Sequence, residues 1–301
     1  MTTIGFIGLG TMGGPMARNV LKKGFPVKGF DLNPAAREKH REAGGTLAAS
    51  PREAAKDVDI LITMLPDGPD VEKAVLGEDG AVHGLKAGAI VIDMSTIDPS
   101  YTRRIGNVLA ERRIAMIDSP VGKTADHAIA GTLTLIVGGD EKVVEKVRPV
   151  LDCMGTDFFY CGGLGMGEAM KLANNFLANT ILSATSEALV MGVKAGLSLE
   201  TMMSVMKTTM AWNNQLGVSL PKKALNDDFS LGFMVRLAEK DHRLAVQMAK
   251  SLDVETPVGS AAFDVLKQAS GKGFADLDVS AVLRFREDQA GVKVRLAKTG
   301  Q

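Results

Sequence analysis

Ile4-Gly5-Phe6-Ile7-Gly8-Leu9-Gly10-Thr11-Met12-Gly13 reads as a buried strand that runs straight into a glycine-rich turn, and from Met12 to Lys23 the periodicity becomes helical. Gly8, Gly10 and Gly13 have the spacing G-x-G-x-x-G. Such a turn lets the backbone approach a pyrophosphate, and the N-terminus of the following helix faces the anion. Glycines also serve ordinary tight turns, so context gives the motif its weight: it follows a strand, opens a helix and begins the chain. A second strand pattern, residues 26–30, ends at Asp31, which lies 18 residues beyond Gly13. That is near the ~20 expected for a carboxylate that binds the adenosine ribose hydroxyls. The competing reading is a turn residue before Asn33-Pro34. An acid there favours NAD(H), because it would repel a 2′-phosphate.

The alternation continues. Strand patterns cover 59–64, 89–92, 114–117, 132–137 and 157–160, with helical patterns between several of them, notably 99–113 and 141–154. Strands alternating with helices predict an α/β, doubly wound sheet. Ligands of such sheets collect beyond the carboxyl ends of the strands, where Leu65 and Thr96 stand. Otherwise Leu65 is a packing residue before Pro66 and Thr96 a cap before Pro99. Past Gly163 the pattern changes to helices over 167–195, 198–207, 233–252, 258–269 and 278–288, with no strand pattern. The chain therefore divides into residues 1–163, the dinucleotide-binding part, and 164–301, an all-α part that begins with a long inter-domain helix. A domain junction is a preferred place for a ligand cleft.

That helix carries a second signal. Gly165-Met166-Gly167-Glu168-Ala169-Met170-Lys171-Leu172-Ala173-Asn174-Asn175 places Lys171, Asn174 and Asn175 at i, i+3 and i+4, on one helix face. An ammonium and two amides together suit a substrate carbonyl or hydroxyl: the ammonium gives a proton and the amides orient it. Taken alone, the triplet reads as a solvated lysine beside two satisfied asparagines.

Composition narrows the classes. Lys plus Arg equals Asp plus Glu at 35 each, so no global field favours nucleic acid or an anionic membrane. No uninterrupted apolar run is long enough to span a bilayer. Cys153 and Cys161 are the two cysteines, too few for a disulfide framework, which points to a reducing compartment. The chain opens directly on a strand pattern, without a basic leader, so a cytoplasmic protein is expected. The four histidines, at 40, 83, 127 and 242, form no metal motif, and no metal is expected.

Together the motifs resemble the β-hydroxyacid dehydrogenase family, which includes 3-hydroxyisobutyrate dehydrogenases. They are Gly8-Leu9-Gly10-Thr11-Met12-Gly13, Met64-Leu65-Pro66, Asp93-Met94-Ser95-Thr96, Asp118-Ser119-Pro120-Val121, Gly131-Thr132-Leu133, Gly165-Met166-Gly167 through Lys171 to Asn174-Asn175, and Lys240-Asp241. The resemblance implies a Rossmann-type N-terminal domain followed by a helical substrate and dimerisation domain. It implies that Lys171 is the catalytic acid/base, supported by Asn175. It also implies that the glycine turn with Thr11 and Met12, together with Asp31, Leu65, Thr96 and Lys240, touches NAD(H), and that the enzyme is a homodimer or homotetramer. Lys240 would otherwise read as an exposed helical lysine.

One stretch departs from the family. Most members follow Pro-Val with Ser-Gly-Gly, a small loop that holds a substrate carboxylate; here Gly122-Lys123-Thr124 follows. The loop is similar to that of the sulfolactaldehyde reductase branch, which has Gly-Arg-Thr. Lys123 replaces the arginine and, unlike a guanidinium, is a point charge without a fork; Ala178 stands where that branch has serine. The expected function is NAD(H)-dependent reduction of a short anionic aldehyde, first 3-sulfolactaldehyde, with Gly122, Lys123, Thr124, Asn174 and Asn175 around the substrate. The alternative is a carboxylate substrate: succinic semialdehyde, 3-hydroxyisobutyrate or tartronate semialdehyde. Lys123 also has the reading of a loop lysine turned to solvent, and His127 that of a surface residue on the following turn.

Overall fold

Four-residue apolar runs make the strands at the centre of the sheet. In the computed structural model, which describes residues 2–230 and 232–296, every residue of β1 (Ile4–Ile7), β4 (Ile60–Thr63) and β5 (Ile90–Asp93) is buried. Parallel strands covered on both faces require this. Around them lie β2 (Val27–Phe30), β3 (Thr46–Leu47), β6 (Ala115–Asp118), β7 (Val121–Gly122), β8 (Leu133–Gly138) and β9 (Gly155–Gly162). The order is β3-β2-β1-β4-β5-β6-β8-β7, with β9 on the other side of β8. The strands from β3 to β6 are parallel. Their order is that of a Rossmann sheet, in which the chain reverses direction between β1 and β4.

Beyond β6 the sheet changes character. β8 runs antiparallel to β6 and β7 and parallel to β9. β6 and β7 are in effect one strand interrupted at Ser119-Pro120, since Ile136 donates to the Pro120 carbonyl at 3.1 Å between the two pairings. The sequence patterns did not indicate β3 and β7, which are two residues long and too short to show alternation. The helices start where capping chemistry places them. Asp98 accepts from the Ser100 N–H at 2.7 Å, with Pro99 in the first turn of the helix Pro99–Glu111.

The described chain forms two compact units, one ending at Leu172 and the other beginning at Ala173. The break falls inside the helix Met166–Lys194 rather than at its start. Its first turns belong with the sheet because Asp118, at the end of β6, accepts the Gly165 and Glu168 N–H groups at 2.6 and 2.7 Å. The second unit is helical: Leu199–Lys207, Val235–Ser251, Pro257–Ala269 and Ala281–Ala290 follow the long helix. Its core gathers Leu182, Leu189, Leu199, Leu220, Leu266 and Leu283. Among the described residues its β-structure is one isolated bridge, Met234 to Asp278. The long helix has 29 residues and an 18-residue window of mean hydropathy 1.3, which meets the length and composition of a membrane span. A core helix meets the same measure, and Leu182 and Leu189 place this one in a core.

Candidate active site

The glycine turn is built by two different demands. A Cβ on Gly13 would overlap the Gly8 carbonyl oxygen, so the first turn of the helix Gly13–Lys22 can sit on β1 only if residue 13 is glycine. Gly10 is different: a Cβ there would meet nothing within 4 Å. Protein packing does not require glycine at residue 10, and a turn of this kind leaves room for a dinucleotide backbone to approach. Asp31, at the end of β2, is tied to the same turn. Its Oδ2 accepts the Leu9 N–H at 2.7 Å and its Oδ1 the Asn33 N–H at 2.7 Å. Two backbone donors fix the carboxylate, and each oxygen keeps a lone pair for a ribose hydroxyl. Thr11 and Met12 lie between Gly10 and the helix. Gly10→Ala is therefore expected to keep the wild-type Tm and to weaken NADH binding by about tenfold or more, ~1.4 kcal/mol. Gly13→Ala should instead lower Tm, because it overpacks the strand–helix contact. Paired melting curves and NADH titrations check both.

The loops after β4 and β5 are locked to each other. Asp93, fully buried at the end of β5, accepts the Thr63 hydroxyl at 2.8 Å and the Ser95 hydroxyl at 2.6 Å. The Ser95 Oγ in turn accepts the Leu65 N–H at 2.9 Å. Leu65 thus hangs through Ser95 from one buried carboxylate and Thr96 follows Ser95, both at the strand ends where the sequence placed them. Asp93 and Ser95 do this positioning. The sequence showed them only as members of a motif.

Asp118 caps the long helix by taking two backbone N–H groups, and burial pushes its carboxyl up to about 6 although those bonds pull the other way. On that helix Glu168 is fully buried and accepts the Ile97 N–H at 3.2 Å. One turn later comes Lys171, 9% exposed.

In the second unit Asn175 is buried and its Nδ2 donates to Asp241 Oδ2 at 2.7 Å. A carboxylate only accepts, so this bond sets the amide's orientation and leaves its Oδ1 to accept from Asn174 Nδ2 at 3.1 Å. The Lys240 ammonium lies 3.1 Å from Asp241 Oδ1. Lys240, Asp241, Asn175 and Asn174 form one chain of contacts, which corrects the reading of Lys240 as an exposed lysine: its side chain is 16% exposed. Beside this chain the His242 ring stacks on Phe176, centroids 5.0 Å apart, and on Phe263 at 6.5 Å. Its Nε2–H donates to the Gly259 carbonyl at 2.9 Å, and burial lowers its pKa, so a neutral ring holds the helix Val235–Ser251 against the long helix. The sequence showed Asp241 only as a member of a motif and His242 only as a scattered histidine, so their tasks were not legible. An Asp-His pair in an amphipathic helix carries no local mark of what it faces.

Gly122-Lys123-Thr124 lies between β7 and the helix Ala125–Ala130. Lys123 has a left-handed backbone, φ +75°, a conformation that favours glycine. Its ammonium bonds Asp157 Oδ2 at 2.6 Å and the Thr132 carbonyl at 2.8 Å. That pairing holds the Asp157 carboxyl below the usual range. The Thr124 hydroxyl contacts His127 Nδ1 at 3.1 Å, and His127 is exposed. The structure thus joins Lys123 to β8 and β9 and Thr124 to His127.

A glycine turn with open space over Gly10, an acid at the end of β2 and a buried lysine are the features of a nicotinamide-dependent oxidoreductase acting on a CH–OH group, the class to which the similar proteins belong. Residues 3–163 match the model of the NAD-binding domain of 6-phosphogluconate dehydrogenase. Residues 165–286 match the NAD-binding domain of NADP-dependent 3-hydroxyisobutyrate dehydrogenase. The chain is 39% identical to a 3-sulfolactaldehyde reductase of Escherichia coli, over 98% of this chain and 99% of that one. It is 37% identical to an NAD-dependent L-serine dehydrogenase of Pseudomonas aeruginosa, over 97% and 100%. Among solved structures, Mycobacterium tuberculosis 3-hydroxyisobutyrate dehydrogenase with L-serine superposes with a TM-score of 0.89 at 33% identity, covering 95% of this chain and 99% of that one. The chain belongs to the 3-hydroxyisobutyrate dehydrogenase family of β-hydroxyacid dehydrogenases. Its cofactor is NAD(H).

Proposed function

We propose that this enzyme reduces a short aldehyde with a terminal anion, 3-sulfolactaldehyde before others, to the corresponding alcohol. The observation that carries the proposal is a cation, Lys123, in the loop between β7 and the helix Ala125–Ala130, where the family resemblance implies Ser-Gly-Gly. The 39% identity to a protein described as 3-sulfolactaldehyde reductase supports it. NADH, when bound, supplies the hydride. Residues 1–163 hold it through Gly8, Gly10, Thr11, Met12, Gly13, Asp31, Leu65 and Thr96, with Lys240 added from the helical part, 164–301. Lys171, as ammonium, gives its proton to the carbonyl oxygen; in the other direction the neutral amine takes the alcohol proton. Asn175, oriented by Asp241, supports that oxygen. Gly122, Lys123, Thr124 and Asn174 take the anionic end. A sulfonate spreads its charge over three oxygens, and a reaching cation suits it better than a tight amide loop.

A second reading has an observation of its own. The Lys123 ammonium is already paired with Asp157, and a lysine held there leaves the small groups of the loop to a carboxylate substrate. kcat/KM with NADH for 3-sulfolactaldehyde against succinic and tartronate semialdehydes separates the two. The sulfonate is expected to win, and a tenfold preference for a carboxylate, about 1.4 kcal/mol, would establish the second reading. Lys123→Ala should cost the anionic aldehydes several-fold and a neutral aldehyde little. The loss is modest because a partly exposed pair is worth about 0.2–1 kcal/mol and the substrate must compete with Asp157. Equal losses on charged and neutral aldehydes would remove Lys123 from the substrate site.

A further inference from the structure

Glu168 is a buried acid that the reaction as described leaves without a task. Its side chain is fully buried in the first turn of the helix Met166–Lys194. Its backbone N–H is held by Asp118 at 2.7 Å, and its Oε2 accepts the N–H of Ile97, next to Thr96, at 3.2 Å. Three residues on comes Lys171, and residues at i and i+3 are neighbours on a helix surface. Burying a carboxylate is costly unless a cation or donors repay it. The Ile97 N–H needs an acceptor but not a charge, which a glutamine would supply without the cost. The feature that calls for a charge is the lysine one turn away.

We propose that Glu168 is a positioning residue of the active site. Its carboxylate ties the Thr96–Ile97 loop to the helix and keeps Lys171 in its ammonium form to higher pH than an uncharged neighbour would. This rests on Lys171 being the acid/base group. The other charged groups about this turn are Asp118 at the helix N-terminus, Asp93 near Asp118 and Arg103 beside Gly165. Asp241 and Lys240 join the same helix at Asn175. Asp118 and Asp93 are acids like Glu168 and Arg103 is a cation; all three, with Asp241, are unchanged in the variants below. Lys240 is likewise unchanged in those variants.

The test is the pH profile of kcat for aldehyde reduction with NADH, using whichever aldehyde of the panel above the wild type reduces fastest. Reduction needs the ammonium, so the rate falls at alkaline pH. Glu168→Gln keeps an acceptor for Ile97 and removes the charge. Its alkaline midpoint should move down by about one pH unit or more, the low end of the effect of an opposite charge within 4–6 Å, with NADH affinity near wild type. Alcohol oxidation needs the neutral amine, so its acid limb should move down by the same amount and Glu168→Gln should gain rate at neutral pH. Glu168→Met, neutral and of similar size, should shift both limbs in the same sense and also bind NADH more weakly. A merely structural residue would change kcat or Tm at every pH and leave the midpoints in place. A folded neutral variant with wild-type midpoints, while Lys171→Ala is inactive, overturns the inference alone. A Lys171→Ala enzyme that keeps its turnover overturns the acid/base reading and this inference with it.

Discussion

Replacing Lys171 by alanine should lower kcat by roughly two or more orders of magnitude, the scale of a positioned acid/base group, and should leave NADH affinity close to wild type. The two halves of this expectation have separate origins. Lys171 is buried on a helix whose start is clamped to the sheet by Asp118, so the side chain starts from a fixed backbone and its loss is a loss of chemistry. On the proposed reading the cofactor is held chiefly by the glycine turn and Asp31, which are bonded to each other through Leu9 and to nothing that Lys171→Ala alters. Steady-state kinetics and an NADH fluorescence titration on the same preparation check it. Turnover within a fewfold of wild type would return Lys171 to a merely polar place on a core helix.

The other large effect expected is on stability. Asp118→Ala leaves the buried N–H groups of Gly165 and Glu168 without their acceptor. An unmade buried donor costs about 1–3 kcal/mol. Two of them, less the relief of no longer burying a carboxylate, give a loss of roughly 2–4 kcal/mol, seen as a Tm lower by several degrees. The pH dependence has a definite sign. Burial raises the Asp118 carboxyl from 3.8 to about 6. Its contribution to stability is therefore fully present below about pH 4 and is lost as pH rises through about 6. The gap between wild type and Asp118→Ala should widen as pH falls from about 7 to about 4. Denaturant titrations across that range measure it, and a gap that narrows toward acid would contradict the burial argument.

Asp118 also shows where the sequence stops being legible. The glycine turn, Asp31 and the strand ends at Leu65 and Thr96 could be read because each lies within one β–α unit, where spacing alone places a residue. The placing of Lys171, Asn174 and Asn175 on one helix could be read from the helical period. Asp118 acts on Gly165 and Glu168, 47 and 50 residues away, and Asp241 acts on Asn175 across 66. No period links such positions. β7 was missed because Ser119-Pro120 interrupts the strand it continues. The glycines near 163 mark the change from strands to helices, and the compact units part a few residues on, between Leu172 and Ala173, with the Asp118 cap bonded to the first helical turn. Lys123 was expected to face a substrate anion, and its bond to Asp157 lies on β9, a strand whose pairing the local sequence does not encode.

The most direct test of the central claim, reduction of a short anionic aldehyde, compares kcat/KM of the wild type with NADH for 3-sulfolactaldehyde and for glyceraldehyde, which differ by a sulfonate in place of a hydroxyl. A preference for the sulfonate of tenfold or more, about 1.4 kcal/mol, is predicted, and equal values, or a preference for glyceraldehyde, would contradict it.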